Sequence, residues 1–501
     1  MSAYVAVDEV GMFTLSRQRF DETVGWLGGS QAGGLSHAVL EQRLQVAGRE
    51  LLRQLLQDHL DLRAVREERL PVVVGDDGVA RGYAEPGRQR LLCTVFGQVT
   101  VTRIGYRAKG VDSRFPSDAV LNLPVGLHSH GLRRLAAIEA GRGSFEAAAA
   151  AIERSCGVAV GKRQVEALAG DSARDVDAFY ATRAGIRCPA GDVLVLTADA
   201  KGIVMRPDAL REPTRKAAAG SSHKLTTRLS RGEKTGRKRM AEVVAVYHCA
   251  PVPRTPADVI ALPGQPRDQR TAGPRAAGKW LHASITDDTT TVIGAMFDEA
   301  SRRDPDGRRT WIVLVDGNTH QIETIRGQAK ARDRPVTILI DIVHVIEYIW
   351  KAAWCFYREG DPAIETWVAD QARLILDGHA NRVAGHIQRK IKQQALDPAR
   401  RAGADACVTY LLNKARYLRY RHALTSGWPI ATGIIEAACR YLIKDRLDIT
   451  GARWGLPGAE AILKLRATAS NGDFDNYWSF HLAQEHQRVH RSRYTSATTI
   501  T

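Results

Sequence analysis

The pattern of apolar and polar positions divides the 501-residue chain into stretches of different period. From Ser36 to Ala64, "SHAVLEQRLQVAGRELLRQLLQDHLDLRA" repeats Leu and Val at helical spacing over many turns, which predicts one amphipathic helix. Next, "LPVVVGDDGVARGYA" and "RLLCTVFGQVTVTRIGYRA" read as strands, the second alternating Val95, Val99 and Val101 with Thr and Gln. Residues 1–122 are therefore expected to form a helix plus a β unit.

From 123 to 185 the period turns helical. Within it, "SFEAAAAAIERSCGVAVGKRQVEALAG" gives an alanine-rich helix, a turn at Gly157 and a second helix from near Gly161 to Gly170. Helix, short Gly-containing turn, helix is the outline of a DNA-binding helix-turn-helix. Lys162 and Arg163, in the first turn of the second helix, are its candidate DNA contacts.

The stretch "GDVLVLTADAKG" reads as a buried strand that ends in a carboxylate, Asp199. After it come the strands "RMAEVVAVYHCAPV" and "GKWLHASI", the helix "TVIGAMFDEASRR", the strand "RTWIVLVDGN", the helix "HQIETIRGQAKAR" and the strand "PVTILIDIVHV". The order β-β-β-α-β-α-β is that of a ribonuclease-H-like α/β core, whose first part is expected at 190–353. A helical, basic block at 354–426 is too long for a loop and reads as an all-α insertion. Core helices at 427–480 and a basic tail at 481–501 complete the expected layout.

Charge sharpens this picture. Lys and Arg number 71 against 55 Asp and Glu, a formal +16 that favours a polyanionic partner, nucleic acid first. The seven cysteines include no C-x-x-C pair, so neither a disulfide framework nor a zinc ribbon is indicated. No apolar run has the length of a membrane span, and the first residues lack a signal-peptide pattern. The expected location is cytoplasmic, with no membrane partner.

In a ribonuclease-H-like core the first and fourth strands are neighbours, which would bring Asp199 close to Asp316 in "VLVDGN". Glu436, in "GIIEAACRYLIK", can pack its helix on the same sheet edge. Three such carboxylates repel one another unless a cation lies among them. Two divalent ions about 3.5–4 Å apart resolve the repulsion and serve displacement at phosphorus. Oxygen ligands favour Mg2+, with Mn2+ as the alternative.

A second strand-ending aspartate, Asp341 in "ILIDIVH", competes with Asp316 for the role of second ligand; strand order favours Asp316, and Asp341 is otherwise a partner for His344. At α-helical spacing Arg440 and Lys444 share a face with Glu436, which suits DNA phosphates. The basic stretch from Arg206 to Met240 reads as an arm toward a nucleic-acid backbone.

The segments "LTADAKGIVMRPDALRE", "WIVLVDGNTHQIE", "ILIDIVHVIEYIWKAAWCFY", "GWPIATGIIEAACRYLIKDRLDITGARWG" and "SNGDFDNYW" resemble DDE-class bacterial insertion-sequence transposases of the ISKra group, itself similar to the Mutator-like superfamily. The resemblance runs over nearly the whole chain. It implies cleavage and strand transfer at the ends of a mobile element by a D-D-E triad with Mg2+, two ions per site. Carried over by motif, the triad falls on Asp199, Asp316 and Glu436, and an auxiliary Asp-x-x-His element falls on Asp341 and His344. The implied partners are double-stranded DNA, as terminal inverted repeats and as target, and further copies of the chain in a nucleoid-associated complex. Two alternatives stay open: a nuclease with the same triad and no joining activity, and a catalytically silent DNA-binding protein.

Overall fold

A strand covered on both faces must be apolar at consecutive positions. Val193 to Leu196 and Trp311 to Val315 meet that demand, with every residue buried. The computed structural model describes residues 11–220, 233, 236–262, 270–449 and 451–494. The chain divides into two units, Met1–Thr182 with Gly472–Thr501, and Arg183–Asn471.

The second unit is built on a mixed sheet of β1 (Val193–Val204), β2 (Lys238–Cys249), β3 (Ala277–Ser284), β4 (Trp311–Val315) and β5 (Thr337–Ile340). Their order is β5-β4-β1-β2-β3. β1, β2 and β3 pair antiparallel, while β1, β4 and β5 run parallel. Parallel neighbours need crossovers, and the helices Thr289–Arg303 and Thr319–Ala331 supply them. Asp288 and Asn318 start these helices, each accepting a backbone N–H of the first turn, at 2.8 and 3.2 Å. The first and fourth strands are thus neighbours, as the element order predicts.

The helix Ile342–Phe356 leaves β5 at once and packs on Ala402–Lys414. The boundary expected at 353/354 therefore falls inside a helix, and the sheet shares an unbroken element with the inserted helices. Two more, Ala363–Leu376 and Ala380–Gln393, follow. In the latter Val383, Ile387 and Ile391 form a buried stripe at four-residue spacing, with Arg382, Arg389 and Lys392 outside. The basic character read from the sequence is this outer face.

In the first unit the helix His37–Arg66 packs on an antiparallel sheet of Tyr83–Thr94, Gly97–Ala108 and Val111–Arg114. Leu60, Leu92, Val99 and Val101 form its core. The helices His130–Arg142, Phe145–Cys156 and Lys162–Ser172 then pack on one another. Gly157 ends the middle one at φ 69, a left-handed conformation that glycine adopts without strain. The third runs to Ser172, two residues past its expected end, and Lys162 and Arg163 are exposed at its start.

The expected tail from 481 is corrected by the structure. A helix, Phe474–Val489, runs through that boundary and belongs to the first unit. Its charges are held internally: Asp175 accepts from Arg488 at 3.0 and 2.8 Å and lies 2.6 Å from His481 Nδ1. Composition registers such charges as tail-like because it does not see their partners. Residues 495–501 and much of the expected arm, 221–232 with 234 and 235, lie outside the described residues. The arm's described first part holds a helix, Glu212–Ala219. Among the described residues no helix is long and apolar enough to cross a membrane.

Candidate metal centre

β1 and β4 pair from Leu194↔Trp311 to Thr197↔Leu314, and β4 and β5 from Ile312↔Thr337 to Val315↔Ile340. Continued at the same offsets, these registers bring Asp199, Asp316 and Asp341 into one row across three neighbouring strands. The Asp341 N–H extends the ladder by donating to the Val315 carbonyl at 2.8 Å. Strands of a sheet are about 4.8 Å apart, so the row concentrates negative charge at the ends of the parallel strands.

Asp199 does not end its strand, contrary to the sequence expectation. It sits mid-strand, since β2 pairs with β1 as far as Val204↔Lys238, and only the β4 partner stops short. One carboxylate oxygen accepts from the Ala200 N–H at 2.7 Å, and the other lies 3.3 Å from the Cys439 thiol. Burial, then the Asp199 charge, pushes that thiol far above its ordinary range.

Asp316 is half-buried and opens a turn, its Oδ1 accepting from the Asn318 N–H at 2.7 Å. Gly317 takes φ +99, where a Cβ would meet the Tyr410 hydroxyl at 2.9 Å. That hydroxyl donates to the Asp316 carbonyl at 3.1 Å. Tyr420 does the same one strand along, donating to the Ile340 carbonyl at 2.7 Å. The inserted segment thus fastens the backbone at both strand exits. No motif in the sequence marks these tyrosines.

Asp341 is fully buried and caps the helix Ile342–Phe356 through the Val343 N–H at 2.9 Å. Its other oxygen is bonded by the Thr432 hydroxyl, which also lies 3.4 Å from Glu436 Oε1. One hydroxyl proton serves one acceptor at a time, so Glu436 is left the poorer. Ligand atoms of Asp341, His344 and Glu436 lie within 4.8 Å of one another. Asp199 and Asp316 stand outside that group. His344 thus lies beside Asp341, as the sequence predicts, and its Nδ1 also faces Glu347 at 3.4 Å.

Arg440 and Lys444 are both exposed, but the one-face argument needs an α-helix. The segment is α-helical only over Gly433–Ala438 and π-helical over Cys439–Lys444. Arg440 lies 3.8 Å from Asp445.

Among the described residues no Lys or Arg nitrogen comes within 4.0 Å of a carboxylate of Asp199, Asp316, Asp341 or Glu436. A second group, Asp175, His481 and Glu485, shows the contrast. There Arg488 bonds both acids, and the charge is closed without an ion. At the sheet edge burial, and after it the Asp341 charge, raises the Glu436 carboxyl above its ordinary value, against the pull of His344 and Thr432. Carboxylates with one imidazole suit a hard or borderline divalent cation, so this group can hold a metal.

A pH dependence follows. A carboxyl raised in the folded state contributes stability at low pH that is lost as pH rises from the unfolded carboxylate range through the raised value. In metal-free buffer the melting temperature of the wild type should fall relative to Glu436→Gln over that window, and added Mg2+ should reverse the fall. A difference independent of pH would remove Glu436 from the strained set.

A comparison with protein-family models finds no match for the chain, and a comparison with curated proteins finds none.

Proposed function

We propose that the chain is a DNA transposase that cleaves strands at the ends of a mobile element and joins them to target DNA. The observation that carries this reading is the row of Asp199, Asp316 and Asp341 with Glu436 beside it, four carboxylates with no Lys or Arg partner among the described residues. The strand order β5-β4-β1-β2-β3 with β2 reversed is that of a ribonuclease-H-like core, which is how we read the sheet. Such a core with an α-helical insertion before its acidic helix agrees with the resemblance to DDE-class enzymes.

On this reading Asp199, Asp316 and Glu436 hold divalent metal, Mg2+ or Mn2+, although without an ion the ligand atoms that lie together are those of Asp341, His344 and Glu436. The ions, when bound, supply activation of the attacking oxygen and stabilisation of the leaving oxygen. Asp341 holds Thr432 and the start of the helix Ile342–Phe356, so that Glu436 meets the edge in one orientation. Tyr410 and Tyr420 fix the backbone from which Asp316 and Asp341 project. On the same reading Lys162 and Arg163 contact DNA, which their exposure at a helix start supports.

The test uses the full chain and a duplex carrying the DNA that flanks its gene. With Mg2+ or Mn2+ the products expected are 3′-hydroxyl ends and strands joined to a target plasmid, and chelator stops both. Nicking without joined product would favour the nuclease, and activity that persists in chelator would end the metal mechanism. Lys162→Ala with Arg163→Ala should weaken duplex binding and flatten its salt dependence.

A further inference from the structure

The start of β5, away from Asp341, carries the opposite charge. A cavity of about 350 Å³ there is lined by Arg326, Arg334, Arg416 and Arg419, with Tyr417 and Thr337, and no carboxylate lines it. The arginines converge from the crossover helix Thr319–Ala331, the turn into β5, and the turn between Ala402–Lys414 and Tyr420–Thr425. Among the described residues none of the four has an Asp or Glu oxygen within 4.0 Å.

Arg334 is anchored, donating to the Pro305 carbonyl at 2.8 Å and lying 5.9 Å over the Trp311 ring. Arg416 lies 4.7 Å over the Tyr417 ring. Tyr417 itself is 7% exposed, and its hydroxyl is buried with no hydrogen-bond partner. A buried hydroxyl left unpaired is costly, and so are guanidinium groups gathered without an anion. An oxyanion in the cavity answers the second, because its oxygens accept from forked guanidinium donors; the Tyr417 hydroxyl is closed off from solvent and takes no part.

We infer that this cavity is a binding site for a phosphate-class oxyanion. Its volume admits more than one phosphate group, which points to a diphosphate or to successive phosphodiesters of a nucleic-acid strand. The four residues of β5 rise about 13 Å at 3.3 Å each, so a strand held here would pass the acidic edge a few nucleotides away. That DNA supplies the phosphate rests on the function proposed above; that the cavity takes an oxyanion does not.

Inorganic pyrophosphate, titrated calorimetrically into the full chain, is the direct probe. One site per chain is expected. Arg416→Gln with Arg419→Gln, both exposed positions, should lower its affinity at least tenfold with an unchanged melting temperature. Tyr417→Phe removes a hydroxyl that is closed off from the cavity and has no partner, so it should leave pyrophosphate affinity unchanged and serves as the control. The second arm measures duplex DNA binding across a salt series. If DNA is the source, the double variant weakens binding to all sequences alike and lowers the salt slope by about two. If only pyrophosphate binding falls, the ligand is a free phosphate compound. Neither arm depends on cleavage, so failure of the transposase reading leaves the result intact. Absence of pyrophosphate binding, or equal binding by wild type and the double arginine variant, overturns the inference.

Discussion

Asp316→Asn is expected to abolish strand cleavage and strand transfer together while leaving binding to the element's ends intact. Asn keeps the shape and can still accept from the Asn318 N–H, so the turn at Gly317 survives. The neutral amide gives up the charge a divalent ion needs. Metal stabilisation of a phosphoryl transition state is worth several kcal/mol, and each 1.4 kcal/mol is tenfold. The rate should therefore fall by about a thousandfold or more. The check is a cleavage time course beside an electrophoretic binding assay on the same preparation. A variant that cleaves at wild-type rate would make Asp316 a turn residue and nothing else.

The second large effect falls on stability. Asp341→Ala removes the cap of the helix Ile342–Phe356 and leaves the Val343 N–H and the Thr432 hydroxyl without their acceptor. A lost cap costs about 1 kcal/mol, and each buried donor left unpaired about 1–3 kcal/mol. Relief of repulsion with Glu436 offsets part of this. The expected loss is roughly 3 kcal/mol, several degrees in melting temperature. Asp341→Asn retains a good capping side chain and should lose much less. If the Ala and Asn variants melt alike at the wild-type temperature, the cap contributes nothing and Asp341 is free for other work.

Much of this architecture is legible in the sequence. Runs such as Val193–Leu196 and Trp311–Val315 announce doubly covered strands, and the order of strands and helices already made β1 and β4 neighbours. Periodicity does not tell where a partner strand stops. Asp199 therefore reads as a strand end, although β2 carries the ladder on to Val204. The change from α- to π-helical bonding at Cys439 has no period of its own in so short a segment, so the shared face of Glu436, Arg440 and Lys444 could not be tested by spacing. Contacts between distant segments were beyond reach. Tyr420 meeting the Ile340 carbonyl and Asp175 meeting Arg488 join residues that only folding brings together. Both strand-ending aspartates are visible in the sequence, and Gly317 and Asn318 after Asp316 already suit the turn that it opens, but nothing there shows that Asp341 is sealed by two donors.

The central claim is that Asp199, Asp316 and Glu436 hold divalent metal at this sheet edge. Mn2+ titration calorimetry on the wild type, Asp316→Asn and Asp341→Asn tests it directly. The account predicts that the wild type binds two ions, that Asp316→Asn loses them and that Asp341→Asn keeps them. Loss in Asp341→Asn with retention in Asp316→Asn would give the second ligand's place to Asp341, and a wild type that binds no Mn2+ would contradict the claim as a whole.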